Sequence, residues 1–175
     1  TSNGAATAPS ASEVTPATLT VADIDLYERM ARDRIDSMKA LSVRLSQAKT
    51  SGDTIQAMRG LSTAGADSAA ARAAGVSPMH LHDVAKVIED AIAKEDDAAR
   101  LADVGSQVDT TNMSPEDLAK TRQLVSQARG TSDSIGAKAT AGMSPAVAAA
   151  LKQRRPLIDS LEMQLMRQAP GGGGH

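Results

Sequence analysis

The chain has 175 residues, a formal net charge of -2, one tyrosine, and no cysteine, phenylalanine or tryptophan. That length fits a single domain with tails, and a core drawn from Ala, Leu and Met promises modest stability. Its basic tracts stop at Lys152-Gln153-Arg154-Arg155, so it lacks the charge and stacking surface of a nucleic-acid binder. It lacks thiol chemistry of any kind, and no apolar run approaches the ~20 residues that span a bilayer.

Residues 1–18, TSNGAATAPSASEVTPAT, are mostly Ala, Ser, Thr, Pro and Gly. Such a composition buries little and reads as a flexible linker. A Ser/Thr/Ala/Pro stretch ahead of a helical domain is common just after a removed signal peptide or a lipid-anchored first residue. Export to the periplasm or beyond is therefore the expected setting, and a lipid tether is compatible with it.

The first helix is expected over about residues 21–49. Thr20 and Asp23 form a capping-box-like start. Ile24, Tyr27, Ala31, Ile35, Met38, Leu41, Leu45 and Ala48 share one face. Thr50 to Asp53 breaks the pattern, with Gly52 as a C-cap. Ile55, Met58 and Leu61 suggest a short helix. Residues 62–75 favour helix by alanine content but offer almost nothing to bury, so a loop with a short helix near residues 68–74 is expected.

Residues 75–95 form the clearest amphipathic stretch, and the chain reads as organised around it. Ser77 is a good N-cap, Pro78 suits the first helical position, and Val76 with Leu81 has hydrophobic-staple spacing. The helix should run to about Val104, with Leu81, Val84, Ala85, Ile88, Ala91, Ile92, Ala99 and Ala102 on its stripe. The next helix starts at Ser114-Pro115 and carries Leu118, Thr121, Leu124, Val125 and Ala128, with Gly130 expected to break it. The last starts at Ser144-Pro145 and carries Val147, Ala148, Leu151, Ile158, Leu161 and Leu165. Pro156 in its interior removes a hydrogen bond and should kink or break it. Residues 169–175 read as a disordered Gly-rich tail.

No segment alternates with period two, so no strand is expected. The predicted fold is all-α: an up-and-down bundle of about four main helices over residues 19–168, with uneven loops and a kinked last helix.

The opening LTVADIDLYERMARDRIDSM and the blocks AGVSPMHLHDVAKVIEDAI and AGMSPAVAAALKQRRPLIDSL resemble a loose group of uncharacterised exported bacterial helical proteins. That group pairs a leading LT-x-x-D-x-x-x-Y helix with later G-x-SP helices, and the resemblance covers residues 19–165. It implies export and brings no activity, so no functional residue carries over.

Few side chains suggest chemistry. His80 and His82 point about 200° apart on a helix and cannot share a metal. Met79, His82 and Asp83 lie near one face and form a weak soft-metal candidate, set against a solvated first turn whose Asp83 suits the helix dipole. The acidic run Glu89, Asp90, Glu95, Asp96 and Asp97 has no calcium-loop spacing and reads as a solvated face. No nucleophile elbow, phosphate loop, dinucleotide fingerprint or zinc-protease motif occurs. No catalytic residue, cofactor or metal is assigned.

Arg34, at the edge of the first stripe, and Glu95, within the second, can meet mid-bundle if the two helices pair antiparallel; otherwise both reach solvent. Two functional classes remain. One is a non-enzymatic exported domain that binds another protein or serves the envelope. The other is a small-ligand or metal-binding bundle. An exposed Leu/Met groove favours the first, and an enclosed pocket with convergent polar groups the second.

Overall fold

A computed structural model of the chain describes residues 13–59, 63–104 and 106–168. The expected tail, residues 169–175, and residues 1–12 of the expected linker lie outside these. The described residues are all-α, with six helices and no strand: α1 (Val21–Gln47), α2 (Ser51–Arg59), α3 (Thr63–Ala74), α4 (Pro78–Asp103), α5 (Pro115–Ala139) and α6 (Pro145–Gln168).

α1 begins with a full capping box. The Asp23 amide donates to the Thr20 hydroxyl, and the Thr20 amide donates to the Asp23 carboxylate at 2.9 Å. The helix packs against α2, α3, α4 and α6, whereas α4 packs against α1, α3 and α5. The organising element is therefore α1 rather than the stretch around α4. Its residues 23–31 are buried over most of their circumference.

Residues 50–53 start a helix instead of ending one. Thr50 and Asp53 exchange a second pair of capping bonds at 3.1 Å each way, so Gly52 lies in the first turn of α2. α3 is a complete helix of 12 residues, not a fragment in a loop. Ala70 and Ala71 are fully buried there: short side chains let α3 approach α1 and α4 closely. Gly75, at φ +71°, closes α3. Its amide donates to the Arg72 carbonyl and the Val76 amide to the Ala71 carbonyl, the paired bonds of a Schellman cap. Val76 then packs on the core, and Ser77 caps α4 by accepting from the His80 amide.

α5 runs unbroken through Gly130. It lies on α4 through small side chains, with Gly136 facing the Ala98 methyl and the buried Ser132 hydroxyl donating to the Ala98 carbonyl at 2.7 Å. Leu124, placed on the apolar stripe by periodicity, is 65% exposed. α6 continues through Pro156 without a break and buries Val147, Leu151, Ile158 and Leu161.

Residues 13–20 belong to the domain, because Val14 and Leu19 are buried in the main core cluster. The segment also meets the α5–α6 connection, where Pro16 lies beside Gly142, itself at φ +84°. α6 is tied to α1 by Arg154, which pairs with Asp25 and lies 3.5 Å from Glu28. That Glu28 oxygen is buried and receives no hydrogen bond, so Arg154 offsets its charge from just outside hydrogen-bonding geometry.

Candidate binding cleft between α1, α4 and α6

α4 and α6 both flank α1 but do not approach each other backbone to backbone among the described residues. Side chains span the gap. The result is a cleft of about 370 Å³, lined by Tyr27 and Arg34 of α1, Glu89, Ile92, Ala93 and Asp96 of α4, and Glu162, Leu165 and Met166 of α6.

Tyr27 forms its floor. Its position three residues after Ile24 and four before Ala31 puts the ring in the core stripe, and it is only 4% exposed. A buried phenol needs a partner for its hydroxyl. Here the hydroxyl lies 3.1 Å from Glu162 Oε1 and 3.4 Å from Glu89 Oε1. It carries one proton, so it can satisfy one carboxylate fully and not both. Burial, then the two negative neighbours, push its pKa well above the ordinary value. At neutral pH Tyr27 is a neutral donor.

The two arginines around the cleft are engaged elsewhere. Arg34 donates a fork of bonds to Asp67 of α3 at 2.7 and 2.8 Å, and those bonds chiefly raise its pKa. Arg155 donates to Asp159 at 2.5 Å, Asp96 at 2.6 Å and Glu95 at 3.3 Å. Desolvation works against its charge, and the bonds to Asp159 and Asp96 outweigh it. Arg34 and Glu95 therefore do not meet, nor do both simply reach solvent: each is paired to a different helix. Among the described residues no cation forms a salt bridge with Glu89 or Glu162.

The acidic run on α4 keeps Glu89, Asp90 and Asp97 exposed, as a solvated face would, but several of its members also have partners. Glu89 lines the cleft, Glu95 and Asp96 hold Arg155, and Asp90 pairs with Lys94 on its own helix. Sequence reasoning does not single out Tyr27, Glu89 and Glu162 as a site. The one signal it offers is the only aromatic of the chain standing on an apolar stripe, because its hydroxyl must find polar partners from other helices.

The weak metal candidates sit apart from this cleft. Met79 is 62% exposed, His82 is exposed, and Asp83 is half-buried. Among the described residues no group of three or more His, Cys, Asp or Glu side chains is arranged to hold a metal. The histidine with a defined partner is His80, whose Nε2 lies 2.9 Å from Asp23 Oδ1. It links the first turns of α1 and α4. No helix is long and apolar enough to cross a membrane among the described residues.

Comparison with family models, with curated proteins and with solved structures returns no match.

Proposed function

We propose that this chain is a non-enzymatic helical interaction module that docks a partner protein at the cleft between α1, α4 and α6. One observation carries the reading. An open groove joins apolar walls, including Leu165 and a Met166 that is 69% exposed, to two carboxylates that form no salt bridge among the described residues. Exposed methionines suit adaptable contacts with a partner. A phenol held protonated beside two carboxylates supports recognition better than proton transfer at neutral pH. The acidic lining, Glu89, Asp96 and Glu162, disfavours phosphate, in keeping with a partner other than nucleic acid. The exported setting belongs to the same proposal and rests on the composition of residues 1–18.

The second reading, a small-ligand site, is favoured by one feature: a volume of about 370 Å³ lies within the roughly 300–1,000 Å³ of small-molecule pockets. Photo-crosslinking in the native cells tests the first. A photoreactive residue replacing Met166 should give a discrete protein adduct, and one replacing Leu124 on α5 should not. Equal labelling from both positions, or none from Met166, overturns docking at the cleft. Cell fractionation with an antibody checks export, and a wholly cytoplasmic signal overturns that part.

A further inference from the structure

We infer that the cleft takes a lysine side chain presented by the partner; this rests on the docking reading above and names the group recognised. Glu89 and Glu162 approach the same hydroxyl from opposite helices, at 3.4 and 3.1 Å. Neither carboxylate forms a salt bridge with the nearby arginines: Arg34 feels the charge of Glu89 across the cleft but is held by Asp67, and Arg155 is held by Asp96, Asp159 and Glu95. One oxygen of each carboxylate thus lies within 3.4 Å of the Tyr27 hydroxyl.

An ammonium group matches that arrangement. It has three N–H donors on a compact charge. Two can go to the carboxylates and one to a lone pair of the phenol oxygen, which keeps its own proton. A guanidinium fits less well, since its planar fork suits both oxygens of one carboxylate, and here the two carboxylates stand on different helices. Ile92, Leu165 and Met166 supply apolar wall for the methylene stem.

Tyr27 is the only aromatic residue of the chain, so its intrinsic fluorescence reports this cleft alone. The experiment titrates the full chain with the blocked tripeptide Ac-Gly-Lys-Gly-NH2, with its norleucine and arginine counterparts, and with n-pentylammonium. The lysine peptide should change Tyr27 emission saturably. The norleucine peptide should bind at least about tenfold more weakly, the arginine peptide in between, and Glu89→Gln with Glu162→Gln should cost the lysine peptide at least about tenfold. Circular dichroism of the Gln variants should match the parent.

Equal binding of lysine and norleucine peptides overturns the cation assignment while leaving docking intact. So does silence from all peptides when the Met166 adduct still forms. Silence from the peptides with no Met166 adduct fails the docking reading itself. Binding of pentylammonium without the lysine peptide overturns the partner-borne source in favour of a free alkylamine.

Discussion

Asp23 shows how much one side chain can be asked to do. Its Oδ2 accepts from the Thr20 amide at 2.9 Å and from the Thr20 hydroxyl at 2.7 Å, while Oδ1 faces His80 Nε2. Burial alone would raise its pKa, but the bonds from Thr20 and His80 outweigh it and hold the group below the ordinary 3.8. A carboxylate with a depressed folded pKa stabilises the fold above its unfolded value, and that stabilisation is lost as pH falls through the folded value. Asp23→Ala should therefore cost about 1–2 kcal/mol near neutral pH, the range of a lost N-cap partner. The deficit should shrink in acid, once the parent carboxyl is protonated, by the part linked to its lowered pKa. Urea unfolding of both proteins across the acid range checks this, and a deficit that is the same at every pH would contradict it. The capping half of this arrangement is readable from Thr20 and Asp23 at their spacing of three. The bond to His80 is not, because residues 57 apart in sequence reveal their contact only once α1 and α4 are packed.

At the scale of elements, most starts are legible in the sequence, and so are the ends of α1 and α4, which fall within two residues of expectation; glycine stops are less so. Thr20, Ser77, Ser114 and Ser144 all precede helices where the hydroxyl, amide and proline chemistry places them. Glycine misleads in two places, because the residue permits a left-handed turn without requiring one. Gly75 adopts a positive φ and ends α3, whereas Gly52 and Gly130 lie inside helices. What separates them is tertiary packing: α5 continues because Ser132 and Gly136 beyond Gly130 lie against α4, and Ala139 is buried. A Cβ at Gly130 meets nothing within 4 Å. Gly130→Ala should thus stabilise the protein by about 0.5–1 kcal/mol, read as a rise in the urea midpoint at unchanged slope. A destabilisation would mean that the chain needs glycine there after all. α3 is easily underrated for a related reason: Ala70 and Ala71 look like little to bury, yet a helix that presents only methyl groups can sit close to two others. Its ion pair adds to this. Arg34 and Asp67 form a two-bond fork with both side chains mostly buried, so a double-mutant cycle with Arg34→Met and Asp67→Leu should give about 1–2 kcal/mol of coupling, between the exposed and buried ranges. The cycle pairing Arg34→Met with Glu95→Leu should be additive within about 0.5 kcal/mol.

Across the whole molecule, the all-α class is legible in the patterning, but the arrangement of the helices around α1 is not. Periodicity assigns each helix an apolar face and says nothing about which faces meet. The cleft exists because α4 and α6 both take α1 as their neighbour and leave a gap between themselves, and one residue brackets that gap. Arg155, 18% exposed on its side chain, reaches from α6 to Glu95 and Asp96 of α4 and to Asp159 of its own helix; it also lies 3.5 Å from the Ile92 carbonyl. Removing it as Arg155→Met keeps the apolar stem and leaves three carboxylates facing one another without a cation. These carboxylates are partly solvated, so the expected cost is about 1–3 kcal/mol, below the roughly 3–5 kcal/mol of a fully buried pair broken on one side. Repulsion should make up much of it. Raising the salt to about 0.5 M should therefore recover part of the loss, since screening then acts within a few Å. Arg155→Lys should recover little, because a single ammonium cannot reproduce bonds that diverge to two helices. Urea unfolding of the parent and both variants at low and high salt measures all of this. Loss of stability indifferent to salt would assign Arg155 a packing role and remove it as the electrostatic bracket of the cleft.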